Sequence, residues 1–586
     1  MVVRSRELTV LGENTLFAGP IFSREALTSP RQLRHFLIRA GYIVAFAVLT
    51  YTFGQATFGW QQVRNVSDIS RFGSLIFQVL SIVQLSLVLF FALLFAAGSV
   101  AAEKDRKTLV LLLMTDLRNR ELVFGKLFAS LLLVGVLLAA SAPVFALIYL
   151  LGGVSLEQIG WALAICGTTG FAAGSWGSLV GYAREKTFQT LAISVLGVVL
   201  ALGVSLSLAG SPTFVGRVMT VLDPFQAMGR VLDPFAVLEG SSNASALQSV
   251  LALMGIGVVL NLVAIARLRV WNPPRMINAA PQSDDGADAN VRSRTRNVWA
   301  LPVIWREIRT RAYGRKVFLI RMAYLLLSAA TFVYVNRAPD ASTLVLGMIS
   351  PPGAAFVALT LISLMLINAQ AVTALTSERD GQTLELLLVT NITAREFIFG
   401  KLGGVFYNAK ELIVIPPALG VALLTHGRIS AESLTYVIVG YLVLAIFSAT
   451  LGMHSGLSFL SSRSAIANSL GTMFFLFIGV FIFMMLLVEA QSSFALQMQS
   501  FIVIIGAGSV ALLASLSHRT PSPALTASAF SLPFITFYAI TEFLLQGSLG
   551  VCVAIVVAYG FTTLAMMIPA ISEFDAALGR SGIDTH

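Results

Sequence analysis

Charge is scarce along this chain. Asp, Glu, Lys and Arg make up 12% of its 586 residues, about half the usual share of a soluble protein. So little charge cannot clothe a large water-exposed surface, and a soluble multidomain enzyme is excluded. Cysteine is nearly missing too. Cys166 and Cys552 lie far apart inside apolar runs and form no C-x-x-C metal or redox motif. The five histidines are scattered and make no ligand pair. The sequence therefore offers no metal site and no catalytic constellation. A phosphate-binding loop is also lacking. Two stretches end in FGK, but Arg120 and Arg395 stand where G-x4-G-K-[ST] needs its first glycine, and Leu127 and Leu402 where it needs a hydroxyl.

What the chain has in abundance is apolar length. Hydrophobic residues make up 56% of it, in recurring runs of about 18 or more, each long enough to cross a bilayer core. The expected class is an all-α polytopic membrane protein. Spans are expected near 38–58, 73–100, 127–151, 159–182, 189–209 and 246–268, then near 318–336, 353–376, 402–425, 434–459, 466–488 and 547–571. The first run starts too far in for a cleavable signal peptide. Two further apolar pieces between Glu489 and Gly547 are read as re-entrant elements in preference to an extra pair of spans, because the first half has no such spans there. Most of the 39 Lys and Arg residues fall on the side of both termini. That side is then cytoplasmic by the positive-inside rule, and the net charge of +10 reflects loop charge, not nucleic-acid binding.

The chain repeats itself. PIFSREALT, from Pro20, returns as PVIWREIRT from Pro302, and FLIRAGY, from Phe36, as FLIRMAY from Phe318, both 282 positions on. A charged passage from Glu103 to Leu127 returns 275 positions on, from Glu378 to Leu402, with 14 identities over 25 positions. Six spans in each half make the repeats parallel. Residues 1–270 and 300–586 are the two expected units, and the polar, Pro-containing 271–299 is a flexible linker. The shared pattern is E-x4-T-L-x-L-L-L-x-T-x4-R-E-x2-F-G-K-L. Leu109, Leu112, Leu113 and Leu117 share one face of a short helix, as do Leu384, Leu387, Leu388 and Ile392. Thr393 and Glu396 have the spacing of a capping box that starts a new helix. A bare interfacial connector explains the leucines. It does not explain why Glu, Thr, Arg-Glu and Gly-Lys recur at fixed places.

This pattern resembles the cytoplasmic loop after the second span in ATP-binding-cassette permeases of the type-2 exporter class. The upstream P-x3-R-E and L-I-R segments resemble that family's amphipathic elbow helix. The resemblance covers both halves and implies two six-span units with elbow and coupling helices. It implies a loop that docks on a separate ATPase subunit, in two copies or as two related subunits, with ATP bound there and no cofactor on this chain. Carried over for docking are Glu103, Thr108, Leu109, Arg120, Glu121, Gly125 and Lys126. Their second-copy counterparts are Glu378, Thr383, Leu384, Glu385, Arg395, Glu396, Gly400 and Lys401. Val110 replaces the family's acidic residue in the first copy, and Lys104, Arg106 and Lys107 make that copy more basic. The elbow residues are Arg24, Glu25 and Arg39, then Arg306, Glu307 and Arg321. A bacterial cytoplasmic-membrane exporter is the expectation, since nothing points to a periplasmic binding protein.

Ionisable and amide groups inside spans are costly and mark candidate pathways. Lys410 and Glu411 sit within the ninth expected span, where the first half has Gly135 and Val136. Gln78, Gln84, Asn368 and Gln370 lie in the second and eighth, where such groups also simply tie helices together. Pro143 and Pro416-Pro417 suggest kinks, and LDPF at Leu222 and Leu232 suggests a re-entrant turn. Two other classes fit less well. A twelve-span secondary transporter needs no paired docking loops, and a scaffold for enzyme maturation leaves the substrate question open.

Overall fold

The computed structural model describes residues 19–28, 33–58, 65–208, 214–233, 241–273, 299, 301–309, 317–337, 350–381, 384, 392–427, 429–484, 494–518, 521–544 and 548–577. Most of the segment read as a linker lies outside them. Among the described residues every regular element is helical, as expected when a bilayer requires each backbone group to be satisfied within its own segment.

The first half runs α1 (Gly19–Thr28), α2 (Leu33–Phe58), α3 (Val66–Asp105), α4 (Thr108–Leu113), α5 (Asn119–Leu151), α6 (Leu156–Ala183), α7 (Thr187–Leu208), α8 (Phe214–Leu222), α9 (Pro224–Leu232) and α10 (Ser241–Trp271). The second runs α11 (Pro302–Arg309), α12 (Val317–Arg337), α13 (Pro351–Asp380), α14 (Ala394–Asn408), α15 (Lys410–Thr425), α16 (Ala431–Ser458), α17 (Ser462–Phe474), α18 (Phe494–Leu516), α19 (Pro523–Leu544) and α20 (Ser548–Ala577). A π-helical turn, Phe475–Gly479, prolongs α17. The expected spans coincide with helices, except that 402–425 is divided between α14 and α15. Ten described helices are long and apolar enough to cross a membrane, eleven if α14 and α15 count as one bent span. The chain is a polytopic, all-α integral membrane protein.

Close packing inside each half is bought with glycine. On α6, a Cβ at Gly177 would lie 2.7 Å from the Leu93 carbonyl oxygen, and one at Gly181 would lie 2.9 Å from the Val100 Cβ. On α16, 275 positions on, a Cβ at Gly452 would lie 2.7 Å from the Asn368 carbonyl oxygen, and one at Gly456 would lie 3.2 Å from the Leu375 Cβ. In lipid, where apolar surface gains little by burial, such backbone approach is what holds helices together. So α6 lies on α3, and α16 on α13, by the same device.

The halves meet along α3 and α7 on one side and α12, α13 and α17 on the other. Leu94, Ala97 and Leu191 of the first half pack with Ala369, Val372, Ala465, Ile466 and Leu470 of the second. Phe90 stacks near Phe474 at 5.1 Å between ring centres.

Three regions gain detail. The region read as re-entrant holds two long helices, α18 and α19, of 23 and 22 residues. Helix α19 is long and apolar enough to cross a membrane, whereas the apolar stretch of α18, Phe501–Leu516, is shorter. Helix α18 packs against α2 of the other half, with Gln499 Nε2 donating to the Tyr51 hydroxyl at 3.1 Å. Second, the bend lies away from the prolines. Helix α5 continues through Pro143. The second-half span bends by 54° between Asn408 and Lys410, ahead of Pro416 and Pro417. There the Asn408 side chain donates to the Gly404 carbonyl at 2.9 Å and competes with the backbone ladder. Third, the first LDPF caps a helix: the Asp223 carboxylate accepts from Phe225 N at 2.9 Å and starts α9.

Candidate functional site

The first charged passage is described in full. Helix α3 ends at Asp105, Lys107 turns the chain with φ of 60°, and α4 lies across the end of the bundle. The leucine stripe points inward: Leu109 and Leu113 are buried with Val100, Leu122, Val123 and Tyr182, and Leu112 packs against them. The outward side carries Val110, Leu111 and Met114, the last two 63% and 74% exposed. The stripe fastens α4 to the bundle, and the residues between its members face out. Thr108 Oγ1 donates to the Glu103 carbonyl at 3.3 Å. At the start of α5 the Glu121 carboxylate accepts from Arg118 N at 3.2 Å, while Arg120 is exposed.

In the second copy Thr393 and Glu396 form the expected capping box at the start of α14, with reciprocal bonds of 3.0 and 3.2 Å. Arg395 is exposed there. Leu384 is half-buried against the large shared core. Thr383 and Glu385 lie outside the described residues.

The recurring Glu and Gly-Lys positions converge on each other. Lys401 Nζ lies 2.5 Å from Glu307 Oε1 of the elbow α11 and 2.6 Å from Glu378 Oε1 at the end of α13. Arg306 pairs with both glutamates. The Lys401 and Glu307 side chains are each only 2% exposed. Glycine makes room for this clasp. A Cβ at Gly400 would lie 2.7 Å from Val303 Cβ, and one at Gly404 would lie 2.7 Å from Glu307 Cβ. The elbow thus lies directly on α14, with Lys401 of the Gly-Lys pair beneath it. In the first half Lys126 pairs with Glu103, the elbow's Glu25 adds to the field at Lys126, and α1 packs on α5, where Gly125 is buried. Arg24 and Glu25 themselves are exposed on α1, and Arg39 is half-buried on α2.

A second constellation joins the halves beside these clasps. Lys104 Nζ donates to the carbonyls that end α6, Tyr182 at 2.5 Å and Arg184 at 2.8 Å. Its counterpart Arg379 donates to Gly456 and Phe459 at the end of α16. Asp105 accepts from the Thr187 hydroxyl at 2.6 Å, and Asp380 from Ser462, tying α3 to α7 and α13 to α17. Arg106 then crosses between halves to Asp380, with Nη2 at 3.1 Å. Its own counterpart is Gly381, so the bridge has no mirror image. Asp105 and Asp380 are identical positions of the two copies and were legible as such. Nothing in REKT and SSRS pointed to their hydroxyl partners.

The candidate pathway residues scatter. Gln78 Nε2 donates to the Leu232 carbonyl, ending α9, at 3.4 Å. Gln84 Nε2 donates to Ser141 at 2.8 Å. Asn368 donates to the Ser448 carbonyl and accepts from Ser469, binding α13, α16 and α17 together. Gln370 is buried beside the shared interface with its Oε1 unpartnered. Glu411 lies 3.3 Å from Arg321 of α12, and Lys410 is exposed with its Nζ 4.9 Å from the Tyr407 ring centre.

Residues 20–270 match the family model described as ABC-2 family transporter protein. The comparisons with curated proteins and with solved structures found no match.

Proposed function

We propose, from the match of residues 20–270 to the ABC-2 transporter family, that the chain is the two-unit permease of an ATP-driven exporter. The match supports a membrane permease subunit that pairs with a nucleotide-binding ATPase subunit. In our reading two ATPase subunits, or two related ones, dock on the cytoplasmic side, where both termini and both charged passages lie in a bacterial cytoplasmic membrane. The observation that carries this is α4. Its outer face exposes Val110, Leu111 and Met114, while its inner face is locked to the ends of α3 and α5. A push on the outer face passes into those helices, and through Glu103 and Lys126 toward the elbow. Glu385 is the sequence counterpart of the exposed Val110, so the second dock carries a charge where the first is apolar. Glu103, Glu378, Lys126 and Lys401 transmit the push from within the clasps, while Arg120 and Arg395 stay exposed beside the dock.

The test is the double change Leu111→Asp and Met114→Asp. Both side chains are exposed, so thermal unfolding of the purified permease should be unchanged. Co-purification of the ATPase subunit and stimulation of its hydrolysis should fall at least tenfold, as about 1.4 kcal/mol of lost docking energy requires. Undiminished co-purification and stimulation would overturn the assignment of this face.

A further inference from the structure

Lys410 is an exposed cation within a membrane-spanning stretch, and it has no carboxylate partner among the described residues. The elbow α11 fixes its depth. An amphipathic elbow lies in the interfacial plane, and α11 rests on Gly400 and Gly404. Lys410 is six residues beyond Gly404, across the 54° bend, so it lies at most about 9 Å deeper at 1.5 Å per residue. A charge facing hydrocarbon there is costly and is retained only with a polar partner. Its neighbours hold it outward. The ammonium group sits over Tyr407, which is itself 45% exposed. Beside it, the Arg321–Glu411 pair bridges α12 and α15. Above and below that pair, Phe318, Leu325 and Val414 are exposed.

We propose that the groove between α12 and α15 is a one-sided binding site for the phosphate headgroup of an anionic phospholipid, with Lys410 as its primary cation. The lysine stem runs along the apolar surface and turns its head toward the nearby headgroup layer. Arg321, engaged through its Nε with Glu411 at 3.3 Å, adds positive charge to the wall of the groove. The exposed Phe318, Leu325 and Val414 seat the acyl chains. The first half has Gly135 and Val136 at the matching positions and offers no such cation. The site exists once per chain and is independent of any transported substrate.

The experiment takes the full chain, purified and delipidated, and titrates it with phosphatidylglycerol or phosphatidylcholine, counting bound lipids by native mass spectrometry. The unmodified chain should hold one phosphatidylglycerol in preference to phosphatidylcholine. Lys410→Met should weaken that lipid about fivefold, the equivalent of about 1 kcal/mol for one basic residue at a charged bilayer surface, and Lys410→Arg should retain it. Because Lys410 is exposed, neither change should disturb folding, which thermal unfolding checks. Equal retention of the two lipids by the unmodified chain would overturn the proposal, as would an undiminished preference in Lys410→Met. Displacement of the lipid by millimolar inorganic phosphate would assign the groove to a free anion and overturn the lipid assignment.

Discussion

Lys401 is a positive charge taken almost wholly out of solvent and shared between two carboxylates, Glu307 and Glu378. Such a group adds little net stability when its partners are present, because desolvation offsets attraction, but removing one member leaves the others uncompensated. Lys401→Met should therefore destabilise the chain by about 3–5 kcal/mol, read as a lower unfolding temperature in detergent. The triple change that also converts Glu307 and Glu378 to Leu should recover most of that loss. If the triple variant is as unstable as the single one, the clasp is not an isolated charge network. Lys126→Met should be milder, since the Lys126 and Glu103 side chains are 9% and 27% exposed and water can substitute. The clasp also explains why Glu and Gly-Lys recur at fixed places: one residue carries the charge, the next position back must be small enough for the elbow to lie on it.

Among the helices, α6 and α16 are held by backbone approach, and this separates one glycine from another. Gly177→Val should force α6 away from α3 and cost about 1–3 kcal/mol as overpacking. Gly135→Ala meets nothing within 4 Å and should be neutral or stabilise slightly, since a helical glycine costs about 0.5–1 kcal/mol relative to alanine. Thermal unfolding of the two variants in one detergent checks the contrast, and equal losses would refute it. Both glycines look alike in the sequence, where only the recurrence 275 positions on marks Gly177. The helices themselves were legible, because apolar length alone forces them. The capping box at Thr393 and Glu396 was legible too, since it is a local rule. Which side of α4 faces out was not: a stripe of leucines fits a docking surface as well as a fastening one, and only the packing of Tyr182 and Leu122 beneath it decides. Whether α18 and α19 cross was not legible, because two apolar pieces between equal-sided charges fit a pair of crossings and a pair of re-entrant elements alike.

The whole molecule is joined by more than its linker. Apolar residues of α3 and α7 pack with those of α13 and α17, Arg463 lies over Phe95 at 4.9 Å, and α18 reaches across to α2. Expressed as two separate chains cut at Ser283, the halves should still co-purify in a mild detergent, and Arg106→Ala alone should not part them. Recovery of the halves singly would refute this interface. The Arg106 bridge has a further meaning. In a permease made of two identical chains, any residue placed near the axis appears twice, so an arginine there confronts its own copy and every acquired change is doubled. Here Arg106 meets Asp380 while Gly381 stands at the mirrored place. A single polypeptide frees each flank to vary alone, so that one can change its surface while the other is preserved. That freedom is closed to a homodimer, whose two faces are written by the same codons.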